Sequence, residues 1–111
     1  MTKFQSEKQI VRNLYRRLET VPTDQTDTAL QLAVSDDYLW RGFHPFNEIR
    51  GGEAVATHFW KPLRVALTSM RRRMDIFFAG VNSLDGPEGG WVVSMGHLMG
   101  LFDEAWLGIQ P

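Results

Sequence analysis

The chain contains no cysteine, so neither a disulfide nor thiolate chemistry can be part of its stability or function. It has no strong excess of either charge: the formal net charge is −1 and the pI is near 6.3, which leaves no electrostatic footprint for nucleic acid. No apolar run approaches the roughly 20 residues of a membrane span. The N-terminus, Met1-Thr-Lys-Phe-Gln-Ser-Glu-Lys, has no apolar segment of the kind a secretion signal needs, so the expected compartment is the cytoplasm. His44, His58 and His97 show no recognised ligand spacing, and a metal or other cofactor is not expected. Gly51-Gly52 lacks the longer glycine pattern of nucleotide binders and reads more simply as a helix start.

What remains is 111 residues, 43% apolar and 23% charged, the composition of one small globular domain over 1–111. Ser6 and Gln9 have the form of a capping box, and Ile10, Val11, Leu14, Tyr15 and Leu18 repeat at helical spacing, which predicts a helix from Ser6 to Thr20. Pro22 ends it. Thr23 or Thr26 can cap a second helix, whose small apolar face is Ala29, Leu30, Ala33 and Val34. Tyr38-Leu-Trp-Arg-Gly-Phe alternates as a strand, and Gly51-Gly52 opens a third helix with Val55, Phe59, Trp60 and Leu63 on one face. Pro62 predicts a kink or a fresh helical start within it.

From Met70 the period changes to two. Met70, Arg72, Met74, Ile76 and Phe78 point one way, and Arg71, Arg73, Asp75, Phe77 and Ala79 the other. Turn formers from Asn82 to Gly90, with Asp85-Gly86 among them, predict a hairpin connection into a further strand. In that strand Trp91, Val93, Met95, His97, Met99 and Leu101 share a face, and Gly96 and Gly100 predict bulges or strong bending. The order of elements is α+β, with helices covering one face of an antiparallel sheet.

Trp40-Arg-Gly-Phe-His-Pro, Gly52-Glu-Ala-Val, Phe59-Trp-Lys-Pro-Leu, Asp75-Ile-Phe-Phe-Ala-Gly and Gly96-His-Leu-Met-Gly together resemble the SnoaL-like polyketide cyclases of the nuclear transport factor 2-like superfamily. The resemblance spans nearly the whole chain. It implies a cone-shaped α+β barrel in which a curved antiparallel sheet and three helices enclose an apolar cavity, commonly in a homodimer. It also implies that Trp106-Leu-Gly-Ile-Gln-Pro would lead into about two further strands, so that the domain is incomplete at its C-terminus relative to the family. The aspartate credited with acid/base chemistry in the family lies on one of those later strands, whereas a family histidine matches His97.

A cyclase or isomerase in such a cavity would work by cofactor-independent general acid/base catalysis on a small, largely apolar carbonyl compound. His97, flanked by Met95 and Met99, and Asp75, among Met74, Ile76 and Phe77, are the acid/base candidates. Against these stand a hydrogen-bonded core histidine and a carboxylate paired with one of Arg71, Arg72 and Arg73. Trp40, Arg41, His44, Phe59 and Trp60 are the ligand-binding candidates. The aromatics could equally be core, His44 could cap a turn before Pro45, and Arg41 could be an exposed or interface side chain. The second functional expectation is a non-catalytic module for ligand binding or dimerisation. In a third, an incomplete sheet leaves an unpaired edge and an uncovered apolar face that favour association with another chain.

Overall fold

The computed structural model describes residues 4–81, 84 and 89–111. The fold is α+β: a layer of helices packs on one side of a long hairpin, and a second, short hairpin lies beside the helices. Helix α1 runs over Gln5–Thr20 and α2 over Thr26–Gln31, joined through a single 3-10 turn at Thr23–Gln25. The expected capping box does not form. Phe4 stands at the N-cap position with φ 67°, and the Ser6 hydroxyl bonds the adjacent Glu7 carboxylate 2.9 Å away instead of a backbone amide.

Strand β1, Leu39–Arg41, pairs antiparallel with β2, Glu48–Arg50, with Trp40 opposite Ile49. The strand expected over 38–43 is thus shorter, and its partner, hidden among turn residues and only three residues long, was not foreseen. Helix α3, Gly52–Val55, continues through a π-helical turn at Ala56–Trp60 into α4, Lys61–Ala66. Pro62 explains the turn. Its ring cannot donate a backbone hydrogen bond, and the helix takes up an extra residue just before it, with the Lys61 amide reaching back to the Ala56 carbonyl. The predicted break is therefore a widened turn within one helix.

Strand β3, Leu67–Gly80, pairs antiparallel with β4, Trp91–Phe102. It begins three residues before Met70. The register slips twice, between Thr68 and Arg71 and between Met74 and Ile76, each time inserting one extra residue into β3. Gly96 and Gly100 sit opposite these bulges, where a side chain would not fit. A Cβ on Gly96 would lie 1.9 Å from the Arg73 carbonyl oxygen, and one on Gly100 would lie 3.1 Å from that of Thr68. The glycines thus mark bulges in the neighbouring strand.

The bulge at Asp75 reverses the alternation expected for β3. Arg72 faces the helices, its guanidinium 3.6 Å from the centre of the Tyr15 ring, and so does Phe77, beneath Arg12. Arg71, Arg73, Ile76 and Phe78 lie on the other face, opposite Met99, His97, Met95 and Val93 of β4. The expected pairing of Arg72 with Ile76 and Phe78 on one face fails because a single inserted residue changes parity. The turn expected from 82 to 90, with Asp85-Gly86, lies largely outside the described residues.

Leu18, Leu30, Val55, Ala56, Phe59, Trp60, Leu63 and Met70 form the core, and Leu98 and Trp106 pack against it. Arg64 secures the helix layer from within: it donates to the Thr26 hydroxyl at 2.9 Å and to the Val21 carbonyl, and Thr26 is fully buried. The two sheets remain separate and two-stranded, so the described residues do not close into a cone. The long axis is 46 Å, close to the ~47 Å of a 14-residue strand, and the radius of gyration is 15.0 Å against about 13 Å for a compact chain of this length. Part of the long hairpin thus extends past the core.

Candidate functional site

Two groups of candidate residues are separated by the thickness of the β3–β4 hairpin. The first is built by the bulge. Arg73 stands opposite His97 in the ladder, and the extra residue, Asp75, reaches back to both. Arg73 Nε donates to Asp75 Oδ1 at 3.0 Å and its Nη2 to Oδ2 at 3.4 Å. His97 Nδ1 lies 3.1 Å from Asp75 Oδ2 and 2.9 Å from Arg73 Nη2. The sequence names Asp75 and His97, and the alternative of Asp75 paired with one of Arg71, Arg72 and Arg73 is the contact that forms, with Arg73. Its approach to His97 follows only from the cross-strand register.

The two contacts at Nδ1 demand opposite states of the ring. Toward Asp75, Nδ1 must carry the proton and Nε2 becomes a free acceptor; toward Arg73, Nδ1 must be bare and Nε2 carries the proton. Nε2 has no protein partner among the described residues, so in either state it presents its chemistry outward. The side chains of Arg73, Asp75 and His97 are 58%, 42% and 60% exposed, an open site rather than a buried one. Apolar side chains flank it along the same face: Ile76, Phe78, Trp91, Met95, Met99 and Leu101 are all substantially exposed.

The second group lies on the helix side. Phe59 is its centre, with ring centroids 4.7 Å from Trp40, 4.9 Å from Trp60, 5.1 Å from Phe46 and 6.1 Å from Trp106. Phe59 and Trp60 are buried, and the half-buried Trp40 ring covers Gly42, where a Cβ would meet it at 2.2 Å. The aromatic candidates therefore pack on one another. Arg41 is exposed and donates to Glu48 across the short hairpin at 3.2 Å. His44 is also exposed, and a cis peptide bond joins it to Pro45. Phe46 and Trp106 complete the cluster, and their spacing from Phe59 in the chain gives no periodic signal that joins them.

The hollows of the surface lie elsewhere. One of about 400 Å³ is lined by residues that include Gln31, Val34, Asp36, Gly52 and Glu53, and another of about 420 Å³ by Arg50, Glu53, Thr57 and His58. Neither touches the nominated residues. Among the described residues no three His, Asp or Glu side chains gather as a metal-binding group, and no helix is long and apolar enough to cross a membrane.

No protein-family model, characterised protein or solved structure matches this chain.

Proposed function

We propose that this chain is a SnoaL-like module of the nuclear transport factor 2-like kind that binds a small, largely apolar ligand, with the open face of the β3–β4 hairpin as its binding wall. The observation that carries this reading is one polar cluster, Arg73, Asp75 and His97, among exposed apolar side chains, with Arg71 the other charge on that face. A few convergent polar groups in apolar surroundings are what orients a small molecule with one carbonyl or hydroxyl. The α+β order, with helices on one side of a bulged antiparallel hairpin, supports the fold reading, in which further strands would complete a cone.

The same cluster favours a second reading, acid/base catalysis of a cyclase or isomerase type. Asp75 orients His97 and leaves Nε2 directed outward, the arrangement of a general base and its positioning carboxylate. The binding reading is tested with the aromatic probe 8-anilinonaphthalene-1-sulfonate. In amide-detected NMR, the expected shifts fall on Met95, His97 and Met99 and weaken in His97→Ala. Shifts confined to Arg50–His58 would overturn the binding wall. Catalysis is tested by deuterium exchange beside the carbonyl of a flat aryl ketone: a rate unchanged by both His97→Ala and Asp75→Asn would remove that role.

A further inference from the structure

The outer edge of β4 is a second feature of the hairpin, independent of the ligand reading. Among the described residues β4 pairs with β3 alone, so from Val92 to Phe102 its other edge faces no partner strand. Its 12 residues, Trp91 to Phe102, include no Lys, Arg, Asp, Glu or Pro. Protected edges in folded proteins are short, charged, or interrupted by proline, because a long uncharged edge is a template for another strand. Both bulges lie in β3, which leaves the β4 side of the ladder regular.

We infer that this edge pairs with the same edge of a second copy, antiparallel and about a two-fold axis perpendicular to the sheet, giving a four-stranded sheet with the order β3-β4-β4-β3. The symmetry suits the strand. Such an axis preserves faces, so residues of like parity meet: centred at Gly96, it sets Val93 of one copy beside Met99 of the other and Met95 beside His97.

Charge distinguishes this arrangement from face-to-face packing. With strands ~4.8 Å apart, the two β3 strands stand three spacings, ~14 Å, from each other, beyond the ~8 Å screening length at physiological salt. Arg71 and Arg73 of the two copies then stay apart and in water. Packing the open faces together would instead carry Arg71, Arg73 and Asp75 into the gap between sheets ~10 Å apart and desolvate them. A further copy cannot extend the sheet by the same contact, since each copy uses its single β4 edge.

The experiment combines sedimentation equilibrium with hydrogen exchange on the 111-residue chain. The expected result is a dimer in which alternate amides of β4, those directed away from β3, exchange more slowly as protein concentration rises. Met95→Lys changes an exposed side chain and sets two ammonium groups ~8 Å apart across the axis, within a screening length. It should weaken the dimer about tenfold or more while circular dichroism stays unchanged. A monomer at all concentrations, a dimer whose outward β4 amides exchange freely, open-ended assemblies, or a dimer indifferent to Met95→Lys would each overturn the inference.

Discussion

Arg73 and His97 face one another across the long hairpin with Arg73 Nη2 2.9 Å from His97 Nδ1, while Asp75 Oδ2 stands 3.1 Å from the same nitrogen. A donor and an acceptor thus compete for one ring atom. Removing either should assign the ring proton: Asp75→Ala leaves Arg73 donating and favours the Nε2-protonated tautomer, whereas Arg73→Ala favours the Nδ1-protonated one. Nitrogen-15 shifts of the imidazole at alkaline pH read the two forms directly. Identical spectra for the two variants would show that neither contact governs the ring.

Gly96 should tolerate no side chain. Its Cβ would meet a backbone oxygen at 1.9 Å, an atom that cannot move without breaking the bulge, so Gly96→Ala is expected to cost about 3 kcal/mol or to unfold the hairpin. Gly80→Ala is the control: nothing lies within 4 Å of the Cβ there, and stability should change by no more than ~0.5 kcal/mol. Urea unfolding of the two proteins measures the difference.

The aromatic cluster makes a second contrast. Phe59→Ala empties the point where Trp40, Phe46, Trp60 and Trp106 converge and should cost ~3–5 kcal/mol. Arg41→Ala breaks only an exposed ion pair with Glu48 and should change stability by less than ~1 kcal/mol. Chemical denaturation again decides, and equal losses in the two variants would contradict the packing described.

Tyr38 gives the alkaline limit. Burial raises its hydroxyl above the ordinary value near 10, and the neighbouring Tyr15 adds to the rise. The folded state therefore holds this proton more tightly than the unfolded chain. The stabilisation is full below about pH 10 and is lost as pH climbs through the folded value. Tyr38→Phe cannot ionise there, so its stability should fall less steeply above pH 10 in parallel thermal scans. Matching slopes would exclude Tyr38 as the cause.

Helical spacing was legible in residues such as Leu14, Leu18, Val55 and Leu63, because one apolar stripe per helix is written locally. The two long strands were legible in the same way from their alternation, the first from Met70 although it begins at Leu67, the second from Trp91. The parity of β3 beyond Asp75 was not, since a bulge is a property of two paired strands, and Gly96 hinted at it only from the opposite one. That Asp75 could pair with one of Arg71, Arg72 and Arg73 was legible from their nearness in the chain, but the meeting of Arg73 and Asp75 with His97 required the register. The split between the acid/base pair and Trp40, Phe59 and Trp60 was equally invisible: which side of a sheet the helices cover is decided by packing, as Leu98 turning inward beside the outward His97 shows.

The extra residue at Asp75 makes the long hairpin a ruler read with two different zeros. Between it and the first bulge, over 70–74, even-numbered positions of β3 meet the helices; beyond it, odd-numbered ones do. Excising that one residue would leave a regular ladder with 76–80 on their present faces, Phe77 still beneath Arg12, and would take the carboxylate away from His97. The carboxylate beside the histidine and the bulge in the ladder therefore reside in the same amino acid, and neither can be deleted without the other.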